Sequence, residues 1–351
     1  MGDEDMKTKA GAAFRIDAGA LAAWMAGHIA DYAGPLEVTR FKGGQSNPTY
    51  LLTTPGRRYV LRKQPPGPLL KGAHAVDREA RVLRAMAGAG LPVPAVYGFC
   101  PDQSVIGTAF YVMEMIDGRI FWDPALPEIA AAARPAYFDA MNATIAQLHS
   151  IDPVAAGLDD YGRPSGYMAR QIALWTRNYL ADEDAGREAA MDRLIEWLPR
   201  HAPPEVEACV IHGDFRLDNM IFHPNEPRVI AVLDWELSTL GDPRADFAYH
   251  AMMYRVPQVV MKSLAGLDLA ASNLPSERDY IARYQARTGY DLAKDYDYFL
   301  AFNLFRLAAI THGIKGRVIR GTAVSAQAEE RSRNVGVLAD AAWAHALASR
   351  S

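Results

Sequence analysis

Asp214, Asn219 and Asp234 lie within the stretch Val210 to Trp235, VIHGDFRLDNMIFHPNEPRVIAVLDW. The apolar runs Cys209-Val210-Ile211 and Val229 to Leu233 are β-prone, so the polar residues cluster where buried strands end. Two carboxylates and an amide oxygen are the hard donors that Mg²⁺ takes, its other positions going to water and phosphate oxygens. The chemistry this allows is phosphoryl transfer. Asp214 would orient an acceptor hydroxyl and take its proton, and Asn219 and Asp234 would hold the metal. Arg216 would touch the transferring phosphate, because a guanidinium suits a planar, charge-spread group. Taken singly, Gly213-Asp214 and Asp218-Asn219 are ordinary turn residues; it is their combination that carries the reading.

The other needs of that chemistry have candidates upstream. Gly43, Gly44, Gln45, Ser46 and Asn47, between two predicted strands, would bring consecutive N–H groups close to phosphates. A cation should follow on the next strand. Val60 and Arg62 share one face of it and Leu61 and Lys63 the other; Arg62 fills the slot, with Lys63 as the alternative. Glu79 lies three residues after Val76 and four before Leu83, near the apolar stripe of a helix. A carboxylate aimed at a core needs a partner, and the strand cation supplies one. The linker Met113-Glu114-Met115-Ile116 would read a nucleobase through the main chain, chiefly at Glu114 and Ile116. His212 reads as a brace for the loop, and Asp242 and Asp246 as a helix cap and a loop brace.

These residues must be positioned by two kinds of element. Strands are predicted at Leu36–Phe41, Thr49–Thr53, Tyr59–Lys63, Ala95–Phe99 and Thr108–Met115, with helices at Ile16–Ile29 and Ala75–Met86. Beyond Asp117-Gly118 helices dominate: Pro135–Ser150, Ser165–Leu180, Gly186–His201, Asp246–Tyr254, Glu277–Thr288, Tyr296–Gly316 and Ser325–Ala348. The expected division is a nucleotide-binding part with an N-terminal extension over 1–113 and a helical part with catalytic loop and acceptor site over 114–351. In a chain of 351 residues, 50% hydrophobic and 22% charged residues suit a large core. A net charge of −4 argues against nucleic acid as partner. The two cysteines fit buried thiols in a reducing cytoplasm. No apolar run approaches the roughly 18 residues of a membrane span, and the polar start MGDEDMKTK, expected to be unstructured, lacks a signal-peptide core.

The order Asp-x-x-x-x-Asn followed by a strand-end Asp resembles the protein-kinase catalytic loop. More closely, His212 to Asn219, Leu233-Asp234-Trp235-Glu236 and Gly241-Asp242-Pro243 are similar to the aminoglycoside phosphotransferase and choline kinase-like family. That resemblance runs from about Leu36 to beyond Arg317. It implies an α+β, bilobal protein kinase-like fold with a small β-rich N-lobe carrying one helix and a larger, mainly helical C-lobe. It also implies ATP (or GTP), Mg²⁺ and a small-molecule hydroxyl acceptor. Phe41 to Tyr50, Tyr59 to Lys63, His74 to Glu79 and Phe305 to Ile310 further resemble the kinase-like domain fused to some acyl-CoA dehydrogenases, which implies a hydroxyacyl-CoA acceptor. An aminoglycoside-like or amino-alcohol acceptor is the other option. The departure is Arg62 where kinases carry Lys, which keeps open a nucleotide-binding module without turnover. A hydrolase built on His212, Asp214, Asp218, His223 or His250 lacks the ligand spacing such a metal site needs.

Overall fold

The computed structural model describes residues 16–41, 47–65, 74–323 and 327–349. Gly43, Gly44, Gln45 and Ser46, and the polar N-terminal segment, lie outside these residues. The chain divides into two compact units, Met1–Gly118 with Ile230–Glu236, and Arg119–Val229 with Leu237–Ser351. The boundary expected after Met113 leaves 230–236 in the second part; by packing, the segment bearing Asp234 groups with the first.

The first unit starts with α1 (Ala18–His28), whose N-cap Asp17 accepts the Ala20 amide at 3.0 Å. A five-stranded sheet follows: β1 (Glu37–Arg40), β2 (Thr49–Thr53), β3 (Arg58–Lys63), β4 (Val96–Cys100) and β5 (Phe110–Glu114). Its order is β1-β2-β3-β5-β4 and every neighbouring pair is antiparallel. Between β3 and β4 runs α2 (Val76–Gly88). Alternation sorts the side chains. Tyr50, Leu52, Tyr59, Leu61, Phe110 and Val112 turn to one face and pack with Leu21 and Met25 of α1. Arg62 and Tyr111, paired in register, take the opposite face, where α2 buries Glu79 among Val76, Ala80, Leu83 and Met86.

The second unit is mainly helical: α3 (Arg134–His149), α4 (Tyr167–Ala181), α5 (Ala189–Arg200), α6 (Pro243–Ala251), α7 (Glu277–Thr288), α8 (Tyr296–Ile319), α9 (Ala328–Ser332) and α10 (Val335–Ala348). The single C-terminal helix expected over 325–348 is two helices, divided by a turn at Arg333-Asn334. Between α5 and α6 in sequence come short strands. β6 (Cys209–Ile211) pairs antiparallel with β9 (Thr239–Gly241), Ile211 opposite Thr239. β7 (Met220–Phe222) enters a turn closed by the His223 amide on the Arg228 carbonyl, ahead of β8 (Val229–Val232). Both cysteines are buried free thiols, and no helix among the described residues is long and apolar enough to cross a membrane.

Candidate active site

In the first unit the charge converges on Arg62. Its Nε lies 2.8 Å from Glu79 Oε2, an ionic contact bent too far for a hydrogen bond. Its Nη2 donates to Asp234 Oδ1 at 2.6 Å and to Glu236 Oε2 at 3.2 Å. Lys63, the alternative anchor, is buried on the other face of β3, where desolvation and then Arg40 lower its pKa. Arg62 is therefore the strand cation that meets Glu79.

Glu79 is held from three sides. Asn47 Nδ2 donates to its Oε1 at 2.6 Å, and the Tyr111 hydroxyl donates to Oε2 at 3.0 Å. Asn47 Oδ1 in turn faces His74 Nδ1 at 2.9 Å. Burial pushes the Glu79 carboxyl up to about 7 against the pull of Arg62 and Tyr111. For Arg62 burial works the other way, and the charges of Glu79, Tyr111 and Asp234 outweigh it, so the guanidinium stays charged. Asp234 takes a left-handed backbone, φ +64°, which is uncommon for a residue with a Cβ and marks a sharp turn out of β8. Trp235 pins that turn through its Nε1, 2.9 Å from the Val232 carbonyl.

At the linker, the Glu114 amide donates to the Ala95 carbonyl at 2.8 Å, which commits it to the sheet. The Ile116 main chain makes no backbone bond among the described residues.

In the second unit the loop after β6 presents Asp214. Its amide donates to His212 Nδ1 at 3.2 Å. Asn219 Nδ2 donates to the Asp214 carbonyl at 2.9 Å and to Oδ2 at 3.1 Å. The Tyr249 hydroxyl donates to Oδ1 at 2.6 Å. Arg216 forks onto Asp218, with Nε 3.0 Å from Oδ1, and its Nε stands 3.9 Å from Asp214 Oδ1. Below the loop, Asp246 accepts the His212 amide at 2.9 Å and the Gly213 amide at 2.8 Å. It also faces His149 Nε2 at 3.1 Å, while His149 Nδ1 meets the Tyr284 hydroxyl. Burial alone would raise the Asp246 carboxyl, but His149 and the loop amide hold it below the usual range. Asp242 caps α6 through the Arg244 amide at 2.9 Å.

Asp214, Arg216 and Asp218 line a cavity of about 630 Å³ in this unit. Its walls are largely apolar, with Met252, Met253, Val256, Leu307, Ile310 and Ile314 among them. Basic side chains line it at Arg216, Lys262, Arg306 and Arg331, whereas the acidic ones are Asp214 and the already paired Asp218.

The donor chemistry fits a magnesium nucleotide. Three carboxylates share the single guanidinium of Arg62, an excess of negative charge that a divalent cation would offset. Asn219 uses its amide nitrogen on Asp214, so its Oδ1 is the atom left for a hard cation. Among the described residues no group of three or more His, Cys, Asp or Glu is placed to hold a metal by itself. What the sequence did not reveal is the bond from Tyr249 to Asp214 and the place of Glu236 on Arg62. The only signal for Tyr249 was its i, i+3 spacing from Asp246; Glu236 had none beyond its closeness to Asp234.

The family model described as "Phosphotransferase enzyme family" matches residues 37–294. Acyl-CoA dehydrogenase family member 10 of Mus musculus is 43% identical over 312 residues, 88% of this chain and 29% of its own length. The chain spans less than half of the length of the acyl-CoA dehydrogenase relatives it matches. A crystal structure of a candidate aminoglycoside phosphotransferase from Ralstonia eutropha superposes with a TM-score of 0.88 at 47% identity, over 95% of this chain and 99% of that one. A thermostable variant of an aminoglycoside phosphotransferase, in ternary complex with ADP and hygromycin B, shares the fold at 15% identity, with a TM-score of 0.60 over 92% of this chain and 97% of that one. The fold is α+β and kinase-like, a β-sheet part followed by a helical one.

Proposed function

This chain belongs to the phosphotransferase enzyme family, and from that premise we propose that it moves the γ-phosphoryl group of ATP onto a hydroxyl of a small molecule, with Mg²⁺ as the required cation. The observation that carries the reading is the Asp214 carboxylate, fixed by Asn219 and Tyr249 and lining a cavity of about 630 Å³. A base so held accepts a hydrogen bond from the acceptor hydroxyl, orients it and takes its proton as the new P–O bond forms. Arg62 binds phosphate oxygens, and Glu79, anchored by Asn47 and Tyr111, keeps Arg62 in place. The glycine loop Gly43, Gly44, Gln45 and Ser46 contributes main-chain donors to the phosphates in this reading. Ile116 meets the nucleobase through its main chain, next to Glu114; contacts of that kind admit GTP as well as ATP. Asn219 Oδ1 and Asp234 would supply oxygens for magnesium. The chemistry that magnesium would supply there is charge neutralisation on the phosphates. Arg216, once its hold on Asp218 is shared, faces the transferring group.

For the acceptor, the cavity favours a hydrocarbon-bearing, anionic compound over a polycation. Apolar walls suit an acyl chain, and basic side chains outnumber acidic ones along the lining. A hydroxyacyl-CoA has both properties and accords with the acyl-CoA dehydrogenase relatives. An aminoglycoside or amino-alcohol would call for more acids than Asp214 and the paired Asp218, so it is the second reading, favoured by family kinship alone. The test is ADP release from MgATP across hydroxyacyl-CoA esters, aminoglycosides and amino-alcohols. Turnover should rise with the CoA esters, and Asp214→Asn should lower kcat by about 10²–10⁴-fold with the KM for MgATP little changed. Full turnover by Asp214→Asn would remove the base, and stimulation by aminoglycosides alone would reverse the acceptor class.

A further inference from the structure

Helix α6 grips the catalytic loop at two points. Asp246 and Tyr249 lie three residues apart, hence on one face of the helix. Asp246 accepts the amides of His212 and Gly213, which fixes the backbone just before Asp214. Tyr249 reaches Asp214 itself, its hydroxyl 2.6 Å from Oδ1. Arg306 of α8 completes the clamp: Nη2 donates to the Gly213 carbonyl at 2.9 Å, and the guanidinium sits 5.1 Å from the centroid of the Tyr249 ring. Tyr249 and Arg306 are both buried, and both line the cavity that Asp214 faces.

A carboxylate turns easily about its last torsion, which is broad and roughly two-fold. Asn219 restrains one oxygen and cannot alone fix the carboxylate plane. We infer that Tyr249, seated against Arg306, is a positioning residue for phosphoryl transfer: its hydroxyl locks the Asp214 carboxylate in the one orientation from which it can meet an acceptor hydroxyl. The inference rests on Asp214 being the base. Burial, and then the Asp214 charge, raise the Tyr249 phenol above its ordinary range, so it stays a donor through the neutral range. Tyr249 exchanges no proton with the acceptor. It sets where the proton goes.

The test compares wild type with Tyr249→Phe, Asp214→Asn and Tyr179→Phe, measuring ADP release from MgATP with and without 3-hydroxybutyryl-CoA. Tyr179 is the control, a buried tyrosine whose hydroxyl is bonded instead to the Glu188 amide at 2.7 Å. Tyr249→Phe should lose about 10- to 100-fold in kcat, the scale of a misplaced catalytic group, with an unchanged KM for MgATP, while Tyr179→Phe turns over like wild type. A wild-type kcat in Tyr249→Phe beside a crippled Asp214→Asn overturns the inference and leaves the base standing. Unimpaired Asp214→Asn removes the base and the inference together; if 3-hydroxybutyryl-CoA does not raise wild-type turnover, the same variants are compared on the aminoglycoside or amino-alcohol that does, with the same outcomes deciding. Equal losses in both Phe variants would show a general cost of removing a buried hydroxyl, which also overturns it. If Tyr249→Phe does not fold, 3-fluorotyrosine at 249 keeps the shape and changes only the donor. A changed kcat there supports the inference and an unchanged one sinks it.

Discussion

Glu79 shows how much one residue's surroundings decide. Folding carries its carboxyl from the ordinary 4.5 to about 7, chiefly by burial. A carboxyl raised by folding contributes stability that is full below its unfolded pKa and is lost as pH climbs through the folded one. Replacing Glu79 by Gln removes that titration, so the variant's stability relative to wild type should grow as pH rises from about 4.5 to 7, by about 1.4 kcal/mol per pH unit at most. Urea midpoints at pH 5 and pH 8 measure it, and a variant that instead loses ground to wild type towards alkaline pH would contradict burial as the leading cause. Arg62 stays charged throughout, so the protonated form of Glu79 leaves the guanidinium to Asp234 and Glu236. The face of β3 that bears Arg62 could be read from alternation alone. That Glu236 joins Asp234 on Arg62 could not, because a short 3₁₀ turn has no periodicity to announce it.

At the level of the element, the loop after β6 depends on a backbone position that only glycine tolerates. Gly213 has φ +80°, and a Cβ there would stand 2.7 Å from the Leu237 carbonyl oxygen. Gly213→Ala should cost about 1–3 kcal/mol for the strained conformation and displace Asp214, so both Tm and kcat fall; a variant with wild-type Tm and kcat would show that the loop relaxes freely. Long elements were legible because their patterns repeat: α2 and α7 fall within two residues of the expected limits. β9 was not, since Thr239-Leu240-Gly241 is too short for alternation and becomes a strand only by pairing with β6. The bond from Tyr249 to Asp214 was hidden for a related reason. Every residue of α6 is buried, so the helix has no polar stripe against which a functional side chain would stand out.

Across the whole molecule, the expected α+β, kinase-like fold is the one found, and the sequence carried that much because its sheet and helix patterns are long. The boundary was less legible: Ile230–Glu236 follows β7 in sequence and is grouped by packing with the first unit, which no local pattern records. Ligand binding acts on the stability of the entire chain. MgATP at about 100 times its Kd should stabilise the protein by about 2.7 kcal/mol, read as a rise in Tm, and Asp234→Ala should abolish that rise. A rise that survives the substitution would take Asp234 out of the metal site. The bond from Arg62 to Asp234 also bears on the order of loading. A bare cation seeking Asp234 competes with a guanidinium already seated on the same oxygen, whereas arriving phosphates offer that guanidinium a new counterion as they deliver the metal. Magnesium and nucleotide should therefore enter as one complex, and dissolved Mg²⁺ by itself should find the protein a poor host.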